Sequence, residues 1–310
     1  MKKHYCLDVG GTGIKFAVLS HSGEFVSPLL QFDAKSDRSR EEILGNFHLI
    51  FRSLAEYAPS AEVEGIELAF PGDFDYPAGI CRMRGVGKYD SLYNVNLREE
   101  FRRMFREDDK LNALAECPIL FCNDVEAVAW GESVRLRQTG RGRLLCVCIG
   151  TGCGSAFFLN GRPAPPGTPG VPENGWIYCL PYRTGQLDDY LSKRGLQQIS
   201  REVLGRPLDG KPLAELADAG NTLALECFSR FGNQLAEGLA PILEAFRPDC
   251  LSLGGQIMRS RERFCGPLEE FCARMGVGVA YCPDTSGSAL HGLRAAQGLA
   301  SKAPKKASLS

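Results

Sequence analysis

The chain has 310 residues, of which 44% are hydrophobic and 24% are charged, and its formal net charge is −1. This length suffices for one large domain or two medium ones, and the composition is ordinary for a soluble globular protein. The near-zero net charge gives no electrostatic footprint for nucleic acid, and no apolar run approaches the roughly 18 residues of a membrane span. We therefore expect neither a nucleic-acid partner nor a membrane partner.

The thirteen cysteines are scattered along the chain, many of them within apolar segments, and no Cys-x-x-Cys pair occurs. Lys2 and Lys3 lead straight into a strand that contains Asp8, which is unlike a signal peptide. These features are typical of reduced thiols that serve as small hydrophobic residues in a cytoplasmic protein. Neither a zinc ribbon nor a thioredoxin-like site is expected.

The first motif is a glycine-rich turn between two apolar strands, in residues 7–19. The turn consists of Gly10, Gly11, Thr12 and Gly13, and Lys15 follows it. Because glycine has no Cβ, this backbone can adopt positive φ and approach a ligand, and its successive N–H groups can form an anion site. Thr12 adds a hydroxyl donor, Lys15 adds a cation, and Asp8 is placed to hold a hydrated Mg²⁺. For this segment alone, the alternative is a tight hairpin with a buried aspartate.

A second copy of this arrangement occurs in residues 147–161. Its turn contains Gly150, Thr151, Gly152, Cys153 and Gly154. Neither turn is a dinucleotide fingerprint, because each runs into a strand rather than a helix, and neither is followed by the Gly-Lys-Ser/Thr of a Walker loop. Two phosphate-binding hairpins, one in each half of the chain, indicate a duplicated fold that binds the phosphates of a nucleotide from both sides.

Hydrophobic periodicity predicts alternating helices and strands in the rest of the chain. The predicted helices cover residues 39–58, 97–114, 125–137, 188–204, 213–246 (as one or two helices) and 288–300. The predicted strands cover residues 63–70, 118–122, 249–255 and 277–282. Segment 73–96 is predicted to be irregular and functional, because function concentrates on long loops carried by a rigid scaffold. The alternation argues for an α/β fold with two similar lobes.

Two polar residues, Asn123 and Asp124, stand between a predicted strand and a predicted helix. Both residue types are natural N-caps, and the local sequence alone favours capping.

Four segments taken in order resemble the motifs of the ROK family of sugar kinases. They are Asp8-Val-Gly-Gly-Thr, Asn123-Asp124, Ile149-Gly-Thr-Gly-Cys-Gly and Leu253-Gly-Gly. The resemblance runs from about residue 5 to about residue 298. It implies an α/β, two-lobed, actin-like ATPase fold (ribonuclease H-like) with a central cleft for nucleotide and sugar.

On this resemblance we expect a small lobe over residues 1–117 and a large lobe over residues 118–300. By analogy with the family, the last helix, 288–300, is expected to pack back on the small lobe. Residues 301–310 form a polar tail that we expect to be disordered.

The resemblance also implies an activity, namely ATP-dependent phosphorylation of a hexose hydroxyl with Mg²⁺, in the manner of a glucokinase acting on the 6-hydroxyl of glucose. In ROK kinases the aspartate at the position of Asp124 is the catalytic base and the adjacent asparagine, here Asn123, binds sugar hydroxyls. For these two residues, the resemblance therefore favours catalysis and sugar binding over helix capping. Gly254 and Gly255 resemble the adenosine-side turn of the family, and segment 73–96 becomes the sugar-side loop.

The segment after the second hairpin departs from the family pattern. Many ROK kinases carry Glu-x-Gly-His there, whereas this chain has Glu173-Asn-Gly-Trp176, and Asp188 stands where the family has a sugar-contacting glutamate. We expect Glu173 and Asp188 to bind sugar, and Trp176 either to stack on its apolar face or to pack as an interior aromatic. The family's structural zinc uses that histidine and three cysteines. Because only Cys179 remains nearby, a four-ligand site cannot be built and no structural zinc is expected.

Several alternatives stay open. The sugar could be N-acetylmannosamine, fructose or allose, and the phosphoryl donor could be polyphosphate. A ROK repressor would carry a helix-turn-helix domain before the first strand, whereas here that strand starts at about Tyr5, which argues against this class. A sugar sensor without catalysis is motivated by the replacement of histidine at Trp176. The resemblance is compatible with a homodimer.

Overall fold

The computed structural model describes residues 2–136 and 142–300, which divide into two compact units. The first unit comprises the described residues of Met1–Gly131 and Ser286–Ser310, and the second comprises those of Glu132–Thr285. The predicted tail, 301–310, lies outside the described residues. Within the part of the chain that is described, no helix combines the length and the apolar character needed to span a membrane.

The first unit is built on a mixed five-stranded sheet. Its strands are β1 (Lys3–Val9), β2 (Gly13–Ser20), β3 (Leu30–Asp33), β4 (Val63–Phe70), β5 (Phe74–Asp75), β6 (Ile80–Cys81) and β7 (Ile119–Asn123). The sheet order is β3-β2-β1-β4-β7, in which β1, β2 and β3 are antiparallel and β4 and β7 run parallel to β1. The short strands β5 and β6 form a separate hairpin inside the segment predicted to be irregular.

The pairing of β7 with β4 places β7 in the first unit, although the predicted boundary between the lobes fell before it, between residues 117 and 118. Because β7 completes the sheet of the first unit, the compact unit continues past that point to Gly131. The division then falls inside α3 (Asp124–Leu136), the helix that follows β7. Residue 137, the predicted end of this helix, lies outside the described residues.

Two other helices of the first unit are α1 (Arg40–Ala55) and α2 (Leu97–Arg106). Helix α1 begins where predicted because Ser39 and Glu42 form a capping box. Helix α2 ends at Arg106, well before residue 114. Directly after the helix, the Asp108 carboxylate accepts the N–H of Lys110, and the chain turns there. Aromatic rings from the two helices pack edge to face, with the Phe51 and Phe105 centroids 4.9 Å apart.

The second unit repeats the sheet of the first. Its strands are β8 (Arg143–Ile149), β9 (Cys153–Leu159), β10 (Arg162–Pro163), β11 (Pro181–Tyr182), β12 (Gly185–Gln186), β13 (Cys250–Gly254) and β14 (Gly278–Tyr281). The sheet order is β10-β9-β8-β13-β14, again with three antiparallel strands followed by two parallel to β8. The duplication inferred from the two glycine turns is confirmed by this matching topology.

The remaining helices are α4 (Leu187–Tyr190), α5 (Lys193–Leu204), α6 (Gly210–Asp218), α7 (Thr222–Phe246), α8 (Gly266–Met275) and α9 (Thr285–Ala300). The helix predicted over 188–204 is interrupted because Leu191 leaves the helical region, with φ −99° and ψ 42°. Helix α8 was not predicted. From Ser286 onward α9 belongs to the first unit, where it packs closely on α3: a Cβ on Gly292 would lie 1.8 Å from the Ala127 carbonyl oxygen.

Candidate functional site

The first glycine turn is a three-residue connection between β1 and β2. The Gly10 N–H donates to the Gly13 carbonyl oxygen over 3.0 Å and closes the turn. A Cβ on Gly10 would lie 2.8 Å from that oxygen, and one on Gly13 would lie 3.0 Å from the Gln31 Nε2 atom. None of Gly10, Gly11 and Gly13 has a positive φ, so this turn does not use the left-handed backbone that glycine permits. These glycines are required for space and not for their dihedral angles.

Polar side chains flank this turn on both strands. Asp8 and Lys15 stand directly opposite each other in the β1–β2 register, so they share one face of the sheet. The Lys15 ammonium donates to the Ser286 hydroxyl over 3.0 Å, and the Thr12 side chain is exposed. Asp8 is half-buried, and its carboxylate is the ligand type that Mg²⁺ prefers, so the residue fits the predicted role.

Asn123 and Asp124 lie at the junction of β7 and α3. The Asn123 Oδ1 atom accepts the N–H groups of Val125 and Glu126 over 3.0 and 3.1 Å, so asparagine does cap the helix. Its Nδ2 group donates to the Tyr76 hydroxyl over 3.2 Å, and a hydrogen bond from the same side chain favours the ionised form of the Asp124 carboxyl. Asn123 therefore caps the helix and also contacts the predicted base.

The Asp124 carboxylate is half-buried, and its Oδ1 atom accepts the Val125 N–H over 2.9 Å. Desolvation raises the pKa of this carboxyl above its usual range, while the nearby Lys88 ammonium and the hydrogen bonds to the carboxylate oppose part of that rise. A carboxylate with a raised pKa at the end of a parallel strand is a candidate general base.

The loop that holds this region together lies within segment 73–96, which was predicted to be irregular and functional, but its contact with the first glycine turn was not predicted. The Tyr89 hydroxyl donates to the Gly10 carbonyl oxygen over 2.8 Å, and the Tyr89 N–H donates to the Ser36 carbonyl oxygen over 2.6 Å. The Ser36 hydroxyl in turn donates to the Gly11 carbonyl oxygen. The available signal was a lysine directly after two glycines, in Gly85-Val-Gly87-Lys88, but no local pattern places it beside a turn more than seventy residues earlier.

The second glycine turn has the same length as the first, but its closing hydrogen bond spans one residue fewer. The Gly150 N–H donates to the Gly152 carbonyl oxygen over 2.9 Å, and the Lys193 N–H at the start of α5 donates to the Gly150 carbonyl oxygen over 2.8 Å. Gly154 follows in β9 opposite Cys148, and the Thr151 side chain is exposed. The two turns are thus equivalent elements of their own units.

Asp188 supports the second turn directly. Its Oδ1 atom accepts the Cys153 N–H over 2.6 Å, and a Cβ on Gly152 would lie 2.9 Å from the same oxygen. Its Oδ2 atom accepts from the Arg194 guanidinium. Because both carboxylate oxygens have protein partners, Asp188 positions the turn as well as being a candidate sugar residue.

Glu173 and Trp176 lie on a short segment that is tied to the second turn through β9. The Ser155 hydroxyl donates to the Gly175 carbonyl oxygen over 2.8 Å and accepts the Ile177 N–H over 3.1 Å. The Glu173 side chain is exposed and Trp176 is half-buried, with its ring centroid 5.8 Å from that of Tyr178. Trp176 is therefore not a core residue of its unit.

Gly254 ends β13 beside the second turn, and Gly255 follows it. A Cβ on Gly254 would lie 2.8 Å from the Thr285 Cγ2 atom, and one on Gly255, whose φ is +98°, would lie 2.2 Å from the Ile149 carbonyl oxygen. Their lack of side chains thus has a packing reason, which is independent of any room left for an adenosine.

This packing gives a stability prediction. We expect Gly255→Ala to lower the free energy of unfolding by at least about 2 kcal/mol, because it adds a backbone clash to the cost of the positive φ. Gly276 is the matched control, since its φ is +71° and a Cβ there meets nothing within 4 Å. Gly276→Ala should cost only about 1 kcal/mol. Equal losses for both variants in urea unfolding would contradict the clash.

One group of three side chains within residues 2–136 and 142–300 has ligand atoms close enough to share a metal ion. His4, His21 and Glu64 have such atoms within 4.8 Å of one another. His4 lies near the start of β1, at the other end of the strand from Asp8, and Glu64 already pairs with Lys2. This group includes no predicted site residue and does not include Cys179.

Comparison with known proteins gives a consistent result. A family model described as "ROK family" matches residues 4–275. A β-glucoside kinase of Listeria monocytogenes is 25% identical over 283 residues, which cover 87% of each chain. An N-acetyl-D-glucosamine kinase of Haemophilus influenzae is 27% identical over 272 residues, which cover 81% of this chain and 83% of that one.

The fold is shared with solved structures as well. A ROK family glucokinase from Streptomyces griseus, in complex with glucose and AMPPNP, aligns with a TM-score of 0.72. The alignment covers 94% of this chain and 98% of that one, at 19% sequence identity. The α/β architecture predicted from the sequence is confirmed by this similarity.

Proposed function

Because this chain belongs to the ROK family, we propose that it is a sugar kinase that transfers the γ-phosphoryl group of ATP to a hexose hydroxyl. The observation that carries the proposal is the first unit's combination of a bare-backbone turn at Gly10–Gly13 with Asp124, a half-buried carboxylate whose pKa is raised. Relatives aligned over more than four-fifths of the chain are sugar kinases by name, which supports the reaction class.

Phosphoryl transfer to an alcohol requires a base for the hydroxyl proton and positive charge around the phosphoryl group. Asp124 takes the proton, a contribution of roughly 10²- to 10⁴-fold in rate. The N–H groups of the first turn, with Thr12 and Lys15, bind phosphate oxygens. Mg²⁺, when bound, would neutralise phosphate charge, and Asp8 is the residue that would hold it.

The second unit supplies the corresponding groups for the rest of the nucleotide. The turn of Gly150, Thr151, Gly152 and Gly154 binds phosphate, and Gly254 and Gly255 border the adenosine. Recognition of the sugar falls to Asn123, Asp124, Glu173 and Asp188, with Trp176 stacking on the apolar face of the ring.

For the substrate we propose glucose or a close relative, phosphorylated at the 6-hydroxyl. β-Glucosides, N-acetylated hexosamines, fructose and allose are the competing acceptors, and polyphosphate is the competing donor. A coupled ADP-release assay over a panel of these sugars, repeated with polyphosphate in place of ATP, ranks them. Absence of turnover with every sugar and both donors would contradict the proposed function.

A sugar sensor without catalysis is the second candidate, favoured by the presence of Trp176 where many ROK kinases have histidine. Calorimetry separates the two candidates, because a sensor binds a sugar from the panel but produces no sugar phosphate.

The raised pKa of Asp124 gives a prediction for pH dependence. The base acts only when ionised, so kcat/KM should rise with pH through a pKa above the roughly 3.9 of an ordinary aspartate and then level off. Tyr76 and Cys122, which also lie near this carboxyl, have raised pKa values themselves and stay neutral over this range.

Glu126, two residues after Asp124 in α3, is the control for this profile, because desolvation raises its pKa too. The Glu126→Gln variant should keep the acid limb of the kcat/KM profile. Loss of the limb in that variant would assign it to Glu126 instead of Asp124.

A further inference from the structure

The loop around Lys88 is ordered by its own hydrogen bonds. The Asp90 carboxylate accepts the N–H groups of Val86 and Gly87 over 3.2 and 3.1 Å. Gly85 and Gly87 have φ values of +71° and +72°, which only glycine adopts without strain. With Tyr89 bound to the first glycine turn, the loop is anchored on both sides of Lys88.

The stem of Lys88 runs along the first glycine turn. Its Cδ atom lies 3.2 Å from the position that a Cβ on Gly11 would occupy, so Gly11 leaves the room that this side chain uses. Across residues 2–136 and 142–300, its ammonium group has no hydrogen bond and no ion pair within 4 Å. Because a half-buried ammonium needs a partner and this one has none among those residues, we expect it to pair with an anionic ligand bound at the neighbouring turn.

The same ammonium lies within electrostatic reach of Asp124, where its charge is the largest influence that favours the ionised carboxylate. Lys88 therefore stands near both the turn assigned to phosphate and the residue assigned to proton removal. In a phosphoryl transfer, the group that moves passes between these two places.

We propose that Lys88 is a further catalytic residue, whose ammonium contacts the oxygens of the transferred phosphoryl group. This rests on the proposed kinase function. As the sugar oxygen forms its bond to phosphorus, the bond to the ADP oxygen breaks and the hydroxyl proton passes to Asp124. Lys88 keeps its own proton throughout and balances the negative charge on the equatorial oxygens.

A merely structural role for Lys88 predicts different kinetics from a catalytic one. Loss of a loop contact would weaken binding or stability, whereas loss of a charge used in the transition state lowers kcat. Removal of the cation would also let the pKa of Asp124 rise further, so the acid limb of the pH profile would move to higher pH.

The test compares Lys88→Met and Lys88→Arg with the wild type, and uses Lys110→Met, an exposed lysine of the same unit, as control. We expect Lys88→Met to lower kcat by about 10²-fold with little change in the KM for sugar. Lys88→Arg should restore part of kcat, and Lys110→Met should behave as the wild type. Circular dichroism melting curves monitor folding.

Wild-type kcat and an unmoved acid limb in Lys88→Met would overturn this inference while leaving the kinase function intact. A raised KM alone, or failure of Lys88→Arg to recover any activity lost in a folded Lys88→Met variant, would also count against it. A wild type that phosphorylates none of the sugars would defeat the proposed function, and this inference with it.

Discussion

Replacement of Asp124 by asparagine should lower kcat by about 10²- to 10⁴-fold, the range measured for loss of a general base. Asparagine has nearly the same shape and can still accept the Val125 N–H through its Oδ1 atom, so the start of α3 is retained. What it cannot do is take a proton from a sugar hydroxyl. The measurement is steady-state ADP release at saturating sugar and ATP, with sugar affinity determined separately by calorimetry.

The control for this variant is Asp37→Asn, which removes an exposed carboxylate of the same unit and should leave kcat unchanged. Equal turnover by Asp124→Asn and the wild type would remove Asp124 from the reaction. A variant that loses sugar binding along with turnover would instead point to a binding role for the carboxylate.

The second large effect is expected from Gly10→Ala. The added methyl group would lie 2.8 Å from the Gly13 carbonyl oxygen, so the turn must open and its N–H groups lose their alignment toward phosphate. Because misplacement by about 1 Å can cost about 10²-fold, we expect kcat/KM for ATP to fall by at least that factor. Sugar binding without nucleotide should change little.

Gly45→Ala is the matched control for the added methyl group. Gly45 lies within α1, and a Cβ there meets nothing within 4 Å. Alanine should therefore stabilise this helix by up to about 1 kcal/mol and leave ATP kinetics unchanged. An intact ATP kcat/KM in a folded Gly10→Ala variant would show that the first turn does not bind the phosphates.

The two hairpins could be predicted from the sequence because each is a local feature, with strands and turn contiguous in the chain. Their glycines were recognised, but the positive φ that glycine permits is not used at Gly10, Gly11 and Gly13. The actual requirement is space beside carbonyl oxygens and side chains. That requirement depends on atoms such as Gln31 Nε2, which no turn motif specifies.

The features that escaped prediction depend on contacts between distant parts of the chain. Tyr89 and Gly10 are 79 residues apart in sequence, and Asp188 and Cys153 are 35 apart, yet each pair shares a hydrogen bond. The first compact unit extends past residue 117, the predicted end of the small lobe, for the same reason, since β7 joins a sheet whose other strands precede it. Long-range pairing is set by packing, which periodicity does not encode.

We propose that Asp124 and the first glycine turn act on one and the same phosphoryl transfer. A crystal structure with a non-hydrolysable ATP analogue and the best sugar of the panel tests it most directly. We expect phosphate oxygens within hydrogen-bonding distance of the turn's N–H groups and the acceptor hydroxyl within hydrogen-bonding distance of the Asp124 carboxylate. A sugar bound with no hydroxyl at Asp124, or phosphates held away from Gly10–Gly13, would contradict it.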